Sequence, residues 1–359
     1  MKFQIPSFKL RRSSKSQTPI LRSDVGLPFG RDRQWVLELG RWSFSGLCML
    51  VFGACLWLTA DSFAAPAPSS HGGFAVDQQS DRLVITHDGQ PFAHFVFQDT
   101  NIFRPYFAHV HTPDGIQVTR NHPPIAGQDP ADHATMHPGI WLAFGDISGQ
   151  DYWRNKAVIR QERFIGSPAV SGDKLDFATE STMIATNGSL QAKLLSHFTL
   201  NSQTDGYLLV WKAEFVPLVN DFAFGDQEEM GFGVRVATPI SEKNGGVVKN
   251  SDGVTGAKFA WGKTADWCDY SGTISNRLVG MTVMADPKNF RPSWFHSRDY
   301  GLLEANPFGR KAFTKGEASS VPVAKNSTFQ LRFAAFIHST PTNASPDIAG
   351  AFRAFTADK

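Results

Sequence analysis

Three turn dipeptides constrain what this chain can fold into. Asp88-Gly89, Asn187-Gly188 and Asp205-Gly206 each stand between two apolar runs. Such pairs mark two-residue hairpin turns, whose central residues need positive φ. The first joins Leu83–Thr86 to Pro91–Phe97, the second joins Ser181–Ala185 to Leu190–Leu200, and the third joins Leu195–Leu200 to Tyr207–Val216. Further strands are predicted over Gly231–Ala237, Gly280–Ala285 and Phe329–His338. Only Pro346–Thr356 reads as a helix, with Ile348, Phe352 and Phe355 on one side. The 31 glycines and 21 prolines suit many turns, and 30 phenylalanines suffice for a large core. The expectation is an all-β fold: one large antiparallel β-sandwich, jelly-roll or supersandwich-like, with one short C-terminal helix. Strands do not alternate with helices, which excludes Rossmann and TIM-barrel folds, and there is no GxGxxG, P-loop, GxSxG or CxxC motif.

The N-terminus differs from the rest. Residues 1–64 carry a net charge of +5 within a total of +2, which leaves −3 for the remainder. A slightly acidic main domain argues against a sequence-independent nucleic-acid binder. No charge occurs in residues 42–60, between Arg41 and Asp61, and a basic lead precedes that stretch. Ser62-Phe63-Ala64 then places small residues at −3 and −1 of a cleavage point after Ala64, the layout of an export signal. Two alternatives stand beside it: an uncleaved anchor, since 19 residues can just span a bilayer, and lipidation at Cys55. All three put the mature chain outside the cytoplasm, in the periplasm or beyond, with membrane contact only through residues 42–60. Residues 65–74 read as a tether and 75–359 as one domain. Cys268 is the only cysteine after the signal, so no internal disulfide is available there and the core must supply stability.

Three polar segments can carry chemistry. In Phe103–His111, His109 and His111 would share a face of an extended strand and offer two imidazoles to a metal or an anion. The alternative is two partly buried histidines bonded to backbone. In Asp132–Gly149, His133 and His137 have H-x3-H spacing, but Pro138-Gly139 follow at once, so a loop or one short turn is expected. Ala134 stands where a zinc protease has its glutamate, which removes the peptidase reading. Asp146 can end a strand and face the same cleft, or serve a turn. In Trp294–Gly309, His296, Arg298 and Tyr300 would share one face, and Ser297 and Asp299 the other; Asn306 to Gly309 reads as a tight turn. Glu229 and Arg235 share a strand face with Gly231 and Gly233, whose missing side chains make room for a ligand or for close packing. In Trp267–Gly272, aromatic rings flank Asp269, an arrangement that suits sugars.

Phe103–Phe107, Val118–Arg120, Asp132–Trp153, Glu229–Arg235, Trp267–Gly272 and Arg298–Gly309, in this order, resemble the exported bacterial family known as PmoA-like, over roughly residues 75–355. Carried over residue by residue, its motifs fall on Arg104, Tyr106, Thr119, Arg120, His133, His137, Trp141, Asp146, Trp153, Glu229, Asp269, Asp299, Tyr300 and Asn306. Relatives have a histidine and an arginine where Met136 and Pro138 stand here, and a histidine at Phe144, which implies altered chemistry if those groups are catalytic. The family label is "methane oxygenase". The membrane subunit of that oxygenase needs several spans, whereas a single uncharged stretch excludes a polytopic membrane protein here. The resemblance implies a β-sandwich linked to carbohydrate breakdown.

These readings converge on an exported carbohydrate-active protein, leaning to an enzyme of lyase or glycoside-hydrolase type. His133, His137, Asp146, Glu229, Asp299 and Tyr300 are its candidate acid–base groups. Arg104, Tyr106, Arg120, Trp141, Trp153, Asp269, Arg298 and Asn306 are candidate contacts to a glycan or sugar-derived substrate. His109, His111, His137 and His296 are candidate ligands for one divalent metal ion. A non-catalytic carbohydrate-binding module and a metal-dependent oxygenase remain alternatives.

Overall fold

Residues 72–357 are described by a computed structural model. The export segment, including 42–60, and residues 65–71 of the tether lie outside the described residues. Two large antiparallel sheets pack face to face as a β-sandwich. The first runs in the order β1 (Phe74–Gln78), β2 (Arg82–His87), β3 (Gln90–Val96), β4 (Tyr106–Ala108), β5 (Ile140–Phe144), β12 (Met230–Arg235), β17 (Leu302–Asn306) and β16 (Trp294–Arg298). The second runs β13 (Val247–Asn250), β14 (Trp267–Ile274), β15 (Arg277–Ala285), β19 (Phe329–Pro341), β10 (Gly206–Pro217), β9 (Leu190–Gln203), β8 (Lys174–Ile184) and β6 (Val158–Phe164), and β7 (Ala169–Ser171) pairs with β8. A small ribbon joins β11 (Phe222–Phe224) to β18 (Val321–Val323). Among the described residues no helix is long and apolar enough to cross a membrane.

All three predicted hairpins form: β2 with β3, β8 with β9, and β9 with β10. Strict alternation explains why. On β8, Leu175, Phe177, Thr179, Ser181 and Met183 are buried and their neighbours are not, which lets one face meet the core. Aromatic rings bridge the sheets there: Phe107 on β4 lies 5.5 Å from Phe198 and 6.1 Å from Trp211, and Phe232 on β12 stacks at 5.6 Å on Phe333. The C-terminal helix, Ile348–Ala357, covers the outer face of the second sheet through Ala351 and Phe355.

The first sheet is covered on its outer face as well. All five residues of β5 are buried. Ile140, Leu142 and Phe144 enter the main core, while Trp141 and Ala143 join Tyr106, Trp153 and Leu302 in a smaller cluster on the far side. Gly233 pairs with Trp141 across β5 and β12. A Cβ at Gly233 would come within 2.6 Å of the indole, so the missing side chain serves close packing. Gly233→Ala is therefore expected to cost roughly 1–3 kcal/mol through overpacking, read as a lower urea midpoint with an unchanged slope. An unchanged midpoint would show that the indole is free to move aside.

Candidate functional site

A cavity of about 240 Å³ opens on the outer face of the first sheet. Its rim is built largely from the turn that precedes β5. His137 N–H donates to the His133 carbonyl at 3.0 Å, so these residues make one helical turn before Pro138-Gly139 end it. The H-x3-H spacing thereby aligns the imidazoles, with centroids 4.7 Å apart and planes within 14°. His137 lies flat on Trp141 at 5.0 Å, and the Tyr300 ring sits 5.5 Å from His133.

His133 is oriented from below. Its Nδ1 lies 2.9 Å from Asp132 Oδ2, and Arg235 donates from both terminal nitrogens to the Asp132 carboxylate at 3.0 Å. Arg235 is buried, its guanidinium carbon 4.5 Å from the Tyr300 ring centroid. Burial opposes ionisation of Asp132, but hydrogen bonds from Arg235 and His133 and the charges of Arg235 and Arg120 outweigh it and hold the carboxyl at about 2. An ionised Asp132 places the imidazole proton on Nδ1 and leaves the Nε2 lone pair free.

The opposite wall is charged. Arg154 pairs with Glu229 at 2.7 Å, and Arg298 pairs with Glu228 at 2.5 Å. His296 Nδ1 lies 3.1 Å from both the Glu228 carbonyl and Glu304 Oε2, while Glu304 Oε1 accepts from Met230 N–H at 2.7 Å. Burial pushes Glu304 well above the usual carboxylate range, and burial with the nearby Arg298 lowers His296 to about 3. The buried pair is thus a neutral imidazole beside a carboxylic acid. Burial holds His137 well below the ordinary imidazole range too.

Of the expected residues, the cavity brings together His133, His137, Trp153, Glu229, His296, Arg298 and Tyr300. Others lie elsewhere, each for a physical reason. Arg104 is buried and donates to the carbonyls of Tyr152, Trp153 and Met136; Arg120 donates to those of Pro130, Asp132, His133 and His137. Both hold loops, and neither lines the cavity. Trp141 is the floor under His137. Tyr106 donates to Asp99 and faces a neighbouring depression. Asp146 accepts from Gly149 N–H in a turn, and Asp299 sits exposed beside Lys243. Asn306 spends both ends of its amide on the backbone of residues 227, 228, 308 and 309. Asp269 belongs to the second sheet, buried among Ser271, Thr282 and His338. The four histidines expected to bind metal are split. β4 ends at Ala108, and the positive φ of His109 breaks the extended run, so His109 lines the neighbouring depression and His111 bonds back to the His109 carbonyl. Among the described residues no three His, Cys, Asp or Glu side chains are arranged to hold a metal ion.

Asp132, Arg154, Glu228 and Glu304 escape a reading of the sequence. The Arg235–Glu229 periodicity is the one signal that reaches toward this wall. Burial of His296 also sets a pH dependence. An unfolded histidine titrates near 6.5, whereas folded His296 stays neutral down to about 3, so between those values the unfolded chain binds more protons. The His296 contribution to stability is expected to be constant above pH 6.5 and to fall as pH drops toward 3, while Glu304, whose carboxyl is raised by burial, acts in the opposite sense and loses stability as pH rises above the ordinary carboxylate range. Asp132 adds a lower window, its contribution complete above about 3.8 and lost toward 2. Urea titrations across this range should show His296→Asn flattening the upper slope and Asp132→Asn the lower one. Identical slopes in wild type and variants would contradict the assignment.

Among solved structures, the chain is similar to a GH36 α-galactosidase from Geobacillus stearothermophilus, at 11% identity and TM-score 0.37, over 75% of this chain and 41% of that one. It is also similar to a galactose mutarotase-like protein from Lactobacillus casei, at 9% identity and TM-score 0.33, over 74% and 100% of the two chains. A galactose mutarotase related enzyme from Lactobacillus acidophilus gives 9% identity and TM-score 0.34, over 76% and 99%. No curated protein matches the sequence. The profile of DUF6807, a family of unknown function, matches residues 82–352, from the second strand into the C-terminal helix, and the chain therefore belongs to that family.

Proposed function

We propose that this protein is an exported enzyme that moves protons on a sugar, with His133 as the base. The observation that carries the reading is the Arg235–Asp132–His133 relay at the mouth of a small polar cavity. Such a relay fixes the tautomer and stabilises the imidazolium that forms when Nε2 takes a proton. Tyr300, whose phenol burial pushes above its ordinary range, stays protonated and serves as the acid. Arg154 and Arg298, each held by a glutamate, line the cavity as substrate contacts where Arg104 and Arg120 do not. Neutral His137 and His296 offer hydrogen bonds to hydroxyl groups without adding charge.

The size supports one ring: about 240 Å³ falls below the roughly 300–1,000 Å³ of drug-sized sites. The reaction class is proton abstraction at a sugar carbon or hydroxyl, with elimination across a glycosidic bond as one outcome. Of the candidate carboxylates, Glu229 lines the cavity, whereas Asp146 stays in its turn and does not. The basic lead and apolar residues 42–60 support export.

The test is product formation from neutral sugars followed by NMR. His133→Ala and Tyr300→Phe are each expected to lower kcat by roughly 10²–10⁴, with sugar binding kept. Turnover that survives His133→Ala, or wild-type protein that binds sugars and never converts them, would overturn the enzyme reading; the second result would make this a binding module.

A further inference from the structure

The cavity lies across one turn from a second depression, which shares two residues with a third. His133 and Met136 face the cavity, while Ala134 and Thr135, on the same turn, line the next depression, of about 600 Å³. Ser80 and Gln98 line both that depression and a third, of about 770 Å³. The second and third depressions thus form one groove that runs to β6, and the turn of residues 133–136 stands between it and the cavity.

The groove's chemistry is specific. Amide side chains recur along it: Gln78, Gln79, Gln98, Asn101 and Gln161. Its arginines are already paired, and its Asp99 carboxylate is capped by a hydroxyl. Arg82 pairs with Asp81 at 2.5 Å, Arg160 with Glu162 at 3.0 Å and Arg163 with Glu180 at 2.7 Å, and Asp99 accepts from Tyr106 at 2.6 Å. Two buried polar atoms on its walls, Gln161 Oε1 and His122 Nδ1, have no hydrogen-bond partner. A surface with many amides and no free arginine suits a ligand rich in hydroxyl groups and without net charge. Nucleic acid and acidic glycans would need unpaired cations.

We propose that the groove binds a neutral glycan chain of several units, threading past the turn at Ala134 and Thr135 so that one ring enters the cavity. This rests on the sugar reading above and adds to it that the substrate is an oligomer or polymer. The second and third depressions are then binding subsites outside the acid–base centre.

The experiment is affinity electrophoresis of the protein in gels carrying galactomannan, xyloglucan, arabinogalactan or, as the acidic probe, polygalacturonate, beside NMR titration with galactose and glucose. Gln98→Ala with Asn101→Ala changes two exposed groove side chains and leaves the cavity intact. At least one neutral polymer is expected to retard the wild type, and the double variant to bind it about tenfold more weakly while its monosaccharide titration is unchanged. Equal retardation of wild type and double variant, or preference for polygalacturonate, would overturn the groove. Monosaccharide binding without retention by any neutral polymer would overturn the groove and leave the sugar reading standing. No binding of sugars of any size would overturn both.

Discussion

A guanidinium taken out of water must find acceptors, because the unpaired buried charge costs several kcal/mol. Three arginines of this protein find all or some of theirs in the same stretch of chain. Arg104 reaches the Met136 carbonyl, Arg120 the carbonyls of residues 130, 132, 133 and 137, and Arg235 the Asp132 carboxylate. Each is almost wholly buried. Burial and the neighbouring Arg235 lower Arg120 to about 10, and burial lowers Arg104 to about 9, yet both remain charged at neutral pH. The loop that carries His133 and His137 is thus held at many points by groups that would pay heavily to let go. Such fixing is what acid–base catalysis asks of a base.

The sandwich makes this possible by burying its first sheet on both faces. The inner face is ordinary core. The outer face keeps small or flat residues under the turn: Ala143, Gly233 and the Trp141 indole. On that platform the His137 ring can lie parallel to the indole and His133 against His137. Sheet packing therefore sets the spacing of the chemical groups, and the arginines set their direction.

Much of the fold was legible because two physical signals act locally. Alternation with period two fixes which face of a strand is buried, and Asp-Gly or Asn-Gly pairs fix where the chain reverses. Strands of three to five residues, such as β4 and β11, carry too few residues for alternation to show. The site was half legible. His133, His137, Glu229, His296, Arg298 and Tyr300 come from segments dense in polar groups, and the structure gathers them. Asp132 looks like any loop aspartate until Arg235, more than a hundred residues later, folds onto it. The reverse error has the same cause. Arg104, Arg120, Asn306 and Asp269 look like ligands in sequence, but each is satisfied by partners that sequence does not place beside it.

The central claim is that Asp132 holds the His133 imidazole with its proton on Nδ1 and its Nε2 lone pair open to the cavity. Long-range nitrogen–proton NMR on protein labelled with 15N-histidine reports that tautomer directly, with Asp132→Asn to assign the signal. The account predicts the Nδ1-protonated tautomer of His133 in the wild type and a mixture of tautomers in the variant. A wild-type His133 protonated on Nε2, or a tautomer mixture that does not respond to Asp132→Asn, would contradict it.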